Sequence, residues 1–337
     1  MMEQIIARFP GISYAGVDTA GRVRTECWGS ADKERSLPVD EDTIFPACSI
    51  SKFITAICVM KLQEQQVIDI DAPVNAYLHQ WKLRTSNGSE SDATIRALMC
   101  HTAGIVDGEN SFYGLRRSDP EITLLDILEG RTSYNNRPAQ SEKPQGAAFE
   151  YSDAGYCVIQ LLVQEVTGKA FEDVAHELIF DGLELKKTFF ASRKNVEYYD
   201  TNATMATGYD DEGLPLPGKY PYQPDLAASA LWTTPKELLA IAKAFLEAYH
   251  SRSTFLQEAS AREMAKLVDK FPWTSLGVFP QGEDTIMSQG WGENGQCMLK
   301  INCRTEEIAV VMTNRNPEVD QSESGVEWLV DEYARFT

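Results

Sequence analysis

The chain has 337 residues with a formal net charge of -19, 43% hydrophobic and 24% charged residues, and its acidic residues are spread along the sequence. This composition indicates a globular protein with a sizeable core, and the negative charge argues against nucleic acid or an anionic membrane as partner. Seven irregularly spaced cysteines, no apolar run of membrane-spanning length and no signal-peptide pattern at the N-terminus lead us to expect a cytoplasmic protein.

The first half of the chain predicts strands followed by helices. Residues 12–28 read as two strands joined by a turn at residues 18–21. A helix follows that is apolar on nearly every side from Phe53 to Leu62, so we expect it to be deeply buried. Two helical stretches lie within residues 95–131 on either side of a glycine-bearing loop, and residues 132–149 form a polar loop.

Two later helices carry clear end signals. The first starts at Ser152 or Asp153, either of which suits the N-cap position, and Gly168 lies just past its end. The second is capped by Thr234, has Pro235 at its first helical position and completes a capping box with the glutamate that follows.

The C-terminal part of the chain switches to short β-like runs and ends in a helix. The runs are residues 274–279, 284–287, 297–303 and 308–314, and the helix covers residues 325–336. We therefore predict an α/β (α+β) protein with an antiparallel sheet flanked by helices and built from both chain ends. Residues 1–60 and 245–337 form the sheet-containing domain, and residues 61–244 form an inserted, mostly helical domain.

Residues 290–295, Gly-Trp-Gly-Glu-Asn-Gly, match the G-x-G-x-x-G fingerprint of dinucleotide-binding proteins. That fingerprint binds a pyrophosphate only where a strand precedes it and a helix follows it. Here an alternating β-like segment follows, so we predict no nucleotide cofactor. The glycines favour a tight turn or a bulge at the rim of an antiparallel sheet.

The sequence has no G-x-S-x-G elbow and no C-x-x-C pair, and its four histidines lack the spacing of metal ligands. These features predict neither a metal site nor a Ser-His-Asp triad on an α/β-hydrolase scaffold. Each histidine, including His101, is interpreted as a structural or surface residue.

An S-x-x-K pattern, Ser49 to Lys52, stands at the start of the buried helix. Positions i and i+3 of a helix share one face, so Lys52 can reach the Ser49 hydroxyl. We expect burial to lower the lysine pKa toward that of a base, and the helix N-terminus to stabilise an oxyanion. The same pattern occurs at Ser30 and Lys33, where we expect a polar loop without function, so two fixed residues make a weak signal. The alternative for Ser49 and Lys52 is a serine N-cap followed by a surface lysine.

A second motif, Tyr151-Ser152-Asp153, lies at the mouth of a later helix, where active-serine S-x-x-K proteins have Y-x-N. Together the motifs resemble the serine β-lactamase and penicillin-binding protein superfamily. More narrowly, they resemble the branch that holds class C β-lactamases, D-aminopeptidases, D-amino-acid amidases and related esterases. Residues 45–56, 95–105, 146–168 and 226–246 and a glycine-rich turn before the last strands follow the family's order.

The resemblance implies a role for each matched residue and an active site in the cleft between the two domains. Ser49 becomes the nucleophile. Lys52 either accepts the Ser49 proton or adjusts the reactivity of the Ser49 hydroxyl, and Tyr151 protonates the leaving group. A phenol does this only if the nearby lysine lowers its pKa. The oxyanion hole combines the Ser49 N–H with one from the strand after the glycine-rich turn. Tyr151 as an aromatic core residue is the alternative.

The sequence departs from the family at two motifs. Asp153 replaces the usual Asn, and it either pairs with Lys52 and holds it protonated or caps its helix. The third motif, commonly K-T-G or H-x-G, is Ser288-Gln289-Gly290 or Gln289-Gly290-Trp291. No cation stands there to recognise a substrate carboxylate. Gln289 and Trp291 suggest a neutral, partly aromatic substrate site, with Trp291 as a packing residue the alternative.

These patterns predict a serine hydrolase that forms an acyl-enzyme at Ser49. Its substrate is a small amide, an ester or a short peptide, including D-amino-acid peptides, and the acyl group passes to water or to another acceptor. A catalytically silent binding or sensor protein that keeps the pocket is the alternative. The sequence leaves the oligomeric state undetermined.

Overall fold

The computed structural model describes the backbone of residues 2–334 and the side chains of residues 2–331. Its strands β1–β12 are Gly11–Val17, Val23–Asp32, Leu37–Pro38, Phe45–Cys48, Arg84–Thr85, Gln140–Ser141, Phe189–Phe190, Leu231–Thr233, Phe279–Gln281, Thr285–Gly292, Gly295–Asn302 and Ile308–Thr313. Its helices α1–α12 are Met2–Ile6, Ser51–Glu64, Ile95–Met99, Leu124–Leu128, Asp153–Thr167, Phe171–Ala175, Arg193–Asn202, Leu226–Ser229, Pro235–Tyr249, Glu258–Ala265, Gln321–Ser324 and Val326–Ala334.

A seven-stranded antiparallel sheet of order β3-β2-β1-β12-β11-β10-β9 dominates the described residues. Its first three strands come from the N-terminal end of the chain and the other four from the C-terminal part. The two ends meet where β1 pairs with β12, from Ile12 opposite Thr313 to Val17 opposite Ile308. The predicted fold, an antiparallel sheet built from both chain ends and flanked by helices, is confirmed.

Helices cover both faces of this sheet because successive side chains of a strand point to opposite faces. In β1, Ile12 and Tyr14 pack into a cluster with Val326 of α12. Ala15 and Val17 belong instead to the larger core that contains the buried residues of α2 and α9.

The caps and ends of these helices follow the predicted signals, but the capping box predicted at α9 is wrong, because the Glu237 carboxylate accepts from the Lys186 and Lys187 N–H groups instead. Ser152 caps α5 by accepting a hydrogen bond from the Gly155 N–H, and Gly168 ends it in the left-handed conformation at φ 68°. Thr234 caps α9 by accepting from the Glu237 N–H. Helix α2 is buried on nearly every side, as its apolar sequence predicts.

The predicted strand at residues 274–279 is wrong for most of its length. Only Phe279 belongs to a strand, as the first residue of β9, whereas residues 274–275 are irregular and residues 276–278 form a bend. Gly277 has a φ of 73°, and a Cβ there would lie 2.6 Å from the Lys52 carbonyl oxygen. The close approach to α2 therefore needs a left-handed glycine, which an extended strand excludes.

The glycine-rich stretch 290–295 lies in a hairpin. Strand β10 pairs with β11 down to Gly292 opposite Gly295, so Glu293 and Asn294 form the tight turn that the sequence predicts. Within residues 2–334, no helix combines the length and the apolar character needed to cross a bilayer. The predicted division at residues 60 and 245 stays a prediction.

Candidate active site

Ser49 lies in the short turn that links β4 to α2. The preceding residue, Cys48, has a φ of 47°, in the left-handed region that non-glycine residues rarely occupy. The Ile50 N–H donates to the Ala47 carbonyl and the Lys52 N–H to the Ser49 carbonyl, both at 3.0 Å. Ser49 remains partly exposed between buried neighbours, so this strained turn presents its hydroxyl at the rim of the core.

Two side chains donate hydrogen bonds to the Ser49 hydroxyl oxygen. The Lys52 Nζ lies 3.1 Å from the Ser49 Oγ, and the Tyr151 hydroxyl lies 2.8 Å from it. Lys52 stands one helical turn away, whereas Tyr151 comes from the segment that leads into α5. The structure thus brings together the three residues that the sequence motifs single out.

Lys52 is almost fully buried, with 3% of its surface exposed, and it is fully hydrogen-bonded. Besides Ser49, its ammonium donates to the Asp153 Oδ1 at 2.5 Å and to the Ala228 carbonyl at 2.9 Å. Burial acts to lower the pKa of Lys52, but the negative charge of Asp153 and the Tyr151 hydroxyl outweigh it and raise that pKa. The expectation of a lowered lysine pKa is therefore wrong, and Lys52 rests as a cation.

The structure decides between the two roles left open for Asp153. Ser152 supplies the cap of α5, with its Oγ 2.9 Å from the Gly155 N–H. Asp153 instead forms the ion pair with Lys52. The adjacent serine leaves the carboxylate free to face the lysine, so the capping alternative fails.

Tyr151 rests as a neutral phenol. Although the residue is 40% exposed, desolvation of its hydroxyl group and the Asp153 carboxylate raise the pKa of Tyr151, and together they outweigh the lowering effect of Lys52. The expectation that the lysine brings this pKa below its ordinary value is therefore wrong in sign. A neutral phenol is a proton donor, as its hydrogen bond to Ser49 requires.

His101, interpreted from the sequence as a structural or surface residue, lies directly against Tyr151. The two rings stack with centroids 4.4 Å apart at 29°. The His101 Nδ1 accepts a hydrogen bond from the Ser152 N–H at 3.1 Å, and burial and Lys52 hold its pKa well below 6.5. The ring is thus a neutral support for the tyrosine. The only sequence signal for it is the Cys-His-Thr-Ala-Gly segment of the family resemblance.

Asp107 is a second residue that sequence reasoning missed. Its carboxylate accepts hydrogen bonds from the Ser152 hydroxyl and the Asp153 N–H, both at 2.6 Å, at the N-terminus of α5. Burial and the neighbouring Asp153 raise the pKa of Asp107 from 3.8 to about 6. No sequence pattern marks this aspartate, because its partners lie more than forty residues away.

The third motif contributes backbone to the site. A Cβ on Gly290 would lie 2.2 Å from the Cys297 Sγ and 2.3 Å from the Ala47 carbonyl oxygen. Strand β10 therefore runs directly against the end of β4, two residues before Ser49. Only glycine permits this approach.

The side chains of Gln289 and Trp291 lie on the other face of β10. Trp291 is opposite Gln296, whose amide donates to the Val319 carbonyl beyond β12. Gln289 contacts the sulfur of Met287, which packs in the cluster under α12. The structure therefore does not bring these two side chains to Ser49, because a strand alternates its side chains between faces.

An ion pair fastens the loop around residues 111–119 to the β10–β11 turn. Arg116 lies 2.7 Å from Glu293, whose carboxylate also accepts the Gly114 N–H at 2.8 Å. Arg116 and Lys52 are thus each neutralised by a carboxylate. Neither cation is free to bind a substrate carboxylate.

Comparison with known proteins gives a consistent result. A family model described as Beta-lactamase matches residues 1–331. Esterase EstB from Burkholderia gladioli is 29% identical over 197 residues, which cover 56% of this chain and 50% of that esterase. This chain spans less than two thirds of the length of this esterase and of other curated relatives that it matches.

Two solved structures share the fold over nearly the whole chain. The octameric penicillin-binding protein homologue from Pyrococcus abyssi has a TM-score of 0.79 at 22% identity, covering 97% of this chain and 74% of its own. The D-amino acid amidase from Ochrobactrum anthropi SV3, complexed with L-phenylalanine amide, has a TM-score of 0.77 at 21% identity. The match covers 98% of this chain and 93% of the amidase.

Proposed function

Because this chain belongs to the beta-lactamase family, we propose that it is a serine hydrolase that forms an acyl-enzyme at Ser49. The observation that carries the proposal is the pair of hydrogen bonds from Lys52 and Tyr151 to the Ser49 oxygen, at 3.1 and 2.8 Å. The relatives named as an esterase and as an amidase support ester or amide cleavage as the reaction class.

Acylation starts from a resting state in which Lys52 and Tyr151 both carry their protons. As the Ser49 Oγ attacks the substrate carbonyl, its proton passes to Lys52 while Lys52 passes one of its own protons to Asp153 across the 2.5 Å contact, so Lys52 stays a cation. Tyr151 then protonates the leaving group as its bond to the carbonyl carbon breaks. Tyr151 recovers a proton from Lys52, and Lys52 recovers one from Asp153. In deacylation, a water molecule takes the place of the Ser49 hydroxyl as nucleophile, and the same proton transfers release the acid and restore Ser49.

The oxyanion hole combines the Ser49 N–H with a backbone N–H of β10. Strand β11, expected from the sequence to supply the second donor, is paired on both sides, with β10 and with β12. In the described residues, β9 pairs with β10 only over Thr285–Met287, so the edge beyond is open. The two-residue turn makes Gly292–Gly295, and hence Gly290–Cys297, hydrogen-bonded pairs of β10 and β11, so alternation turns the Trp291 N–H toward the open edge.

The preferred substrate is uncharged or cationic. Lys52 and Arg116 are already paired with carboxylates, and the formal net charge of -19 repels anions. We expect butyrate esters to be cleaved with a higher kcat/KM than the matching succinate monoesters, which carry a free carboxylate. An equal or higher kcat/KM for the succinate esters contradicts this preference.

Labelling with an alkyl fluorophosphonate, followed by intact-protein mass measurement, tests the nucleophile. We expect one adduct on the natural protein and none on Ser49→Ala. Ser30→Ala is the matched control, because Ser30 belongs to the other S-x-x-K pattern, and it retains the adduct. A natural protein that is folded by circular dichroism yet forms no adduct favours the silent binding protein instead.

A further inference from the structure

A line of aromatic rings leads away from Tyr151 toward the protein surface. The ring centroids of Tyr151 and Phe279 are 6.3 Å apart. Those of Phe279 and Phe149 are 6.5 Å apart, and those of Phe149 and Trp273 are 6.3 Å apart. Phe149, Phe279 and Trp273 are called the aromatic ledge below. Trp273 is 50% exposed and Tyr151 40% exposed, and the two phenylalanines are half-buried. The ledge is thus open to solvent and continuous with the candidate active site.

The ledge is held in place by contacts between the loops that carry it. The Lys270 ammonium donates to the carbonyls of Gly146 and Ala147, at 2.8 and 3.2 Å, and so fastens the loop before Trp273 to the loop before Phe149. The Thr274 hydroxyl donates to the carbonyl of Cys100, the residue that ends α3. These rings therefore form a prebuilt surface, which favours binding because little ordering is needed.

We infer that the aromatic ledge is the subsite for an aromatic leaving group of the substrate, an inference that rests on the proposed function. Tyr151 protonates the departing oxygen or nitrogen, so the substituent on that atom emerges beside the Tyr151 ring. The next surface along that path is the ledge, whose rings meet at 75° edge-to-face where Phe149 contacts Phe279 and Trp273. An aryl group adds one more ring to this series and gains the same attraction.

The substrates implied are arylmethyl or aryl esters and the corresponding amides. Two nearby cations are already partnered: Lys270 donates to two carbonyl oxygens and lies against the Phe271 ring, 5.4 Å from its centroid, and Lys143 pairs with Glu150. The subsite therefore offers ring faces and edges in place of a charge partner, and its ligand is an uncharged aromatic group.

Four butyrate esters with one acyl group and different alcohols test this inference: methyl, cyclohexylmethyl, benzyl and 2-naphthylmethyl. We expect Trp273→Ala to lower the preference for 2-naphthylmethyl over methyl butyrate, measured as a ratio of kcat/KM, by about fivefold. The ratio for cyclohexylmethyl falls less, because it lacks ring electrostatics. Tyr198→Ala, which removes an exposed aromatic ring from α7, is the matched control and leaves every ratio unchanged.

Unchanged ratios in both Trp273→Ala and Phe149→Leu overturn the inference. An effect confined to methyl esters that differ in the acyl group, such as methyl 2-naphthoate against methyl butyrate, overturns the leaving-group assignment. If Trp273→Ala fails to fold, inhibition of the natural protein decides, since 2-naphthalenemethanol must inhibit more strongly than cyclohexylmethanol. Fluorophosphonate labelling separates the two proposals: labelled protein with unchanged ratios refutes the ledge alone, and an unlabelled natural protein refutes the hydrolase.

Discussion

Two borders of the candidate active site are built in opposite ways. The helical border, from α2 and α5, presents ionisable side chains, with Lys52 bonded to Ser49, Asp153 and a backbone carbonyl. The strand border, where β10 runs against β4, presents glycine backbone, and Gly290 lies against the Ala47 carbonyl. Charge and proton position govern the first border, and the space available to the backbone governs the second.

This difference teaches which substitutions each border tolerates. On the helical border, a change of charge at constant shape alters the pKa values of the neighbouring groups and therefore the pH dependence of kcat/KM. On the strand border, one added methyl group moves the strand that leads to Ser49, although no charge changes. The predictions below separate these two kinds of sensitivity.

The largest effect is expected from Lys52→Met, which keeps the unbranched apolar part of the side chain and removes the charged amine. We expect the rate of fluorophosphonate labelling to fall at least about 1000-fold, as for other residues of a catalytic unit. Unfolding in urea should show a loss of about 3 kcal/mol, because Asp153 loses its buried partner. Lys33→Met, in the other S-x-x-K pattern, is the control. A labelling rate within tenfold of the natural protein contradicts the proposed role.

Gly290→Ala tests the strand border. Its Cβ would lie 2.2 Å from the Cys297 sulfur and 2.3 Å from the Ala47 carbonyl oxygen, so β4 has to move. We expect a loss of about 2 kcal/mol in unfolding free energy and a fall in kcat/KM of more than about tenfold. Gly182→Ala is the matched control, since the nearest atom to its added Cβ is 3.9 Å away. Equal stability in the two variants refutes the close approach of β10.

Asp153→Asn changes charge at nearly constant shape. The carboxylate raises the pKa of both Lys52 and Tyr151, so its removal lowers both. We expect kcat/KM at neutral pH to fall, because the amide cannot take a proton from Lys52, and to recover as pH rises through the lowered lysine pKa, where the Lys52 amine itself becomes the base. In the natural protein, the raised pKa of Lys52 stabilises the folded state. This contribution is complete below pH 10.5, the ordinary lysine pKa, and is lost as pH rises through the higher pKa of the folded state. Because Asp153→Asn removes much of this contribution, we expect the variant to be less stable than the natural protein at pH 7. An unchanged pH profile counts against the ion pair as part of the mechanism.

The smallest effect is expected from Asp107→Asn, one layer behind the helical border. The pKa of Asp107 is raised from 3.8 to about 6, so the folded state holds this proton more tightly than the unfolded state. Its contribution to stability therefore falls as pH rises from 3.8 to about 6, and the variant removes that slope. We expect kcat/KM to change less than about threefold, because the amide oxygen still accepts hydrogen bonds from α5.

The exposed Asp92→Asn is the control, and urea unfolding between pH 4 and pH 7 supplies the measurement. Because the buried Asp225, with its pKa raised to about 7, leaves a residual slope in the same pH range, the contradicting outcome is a slope in Asp107→Asn as steep as that of the natural protein.

Local features of the chain were accessible from the sequence because they depend on neighbours a few residues apart. Helix geometry sets the spacing of Ser49 and Lys52, and the caps at Ser152 and Thr234 follow from the side chains at the helix ends. The sheet built from both chain ends follows from the order of the apolar runs. The bend at residues 274–279 escaped prediction because Gly277 serves a contact with α2, far away in sequence.

The sequence by itself determined the fold class, the buried helix and the hydroxyl–amine pair at its start. Only the tertiary structure decided that Asp153 pairs with Lys52 across 101 positions of sequence, that the resulting lysine pKa is raised, and that His101 supports Tyr151. It also decided which face of β10 meets Ser49. The physical reason is that pKa values and strand faces depend on distances between groups remote in the chain, and sequence patterns constrain those distances only within one helix or strand.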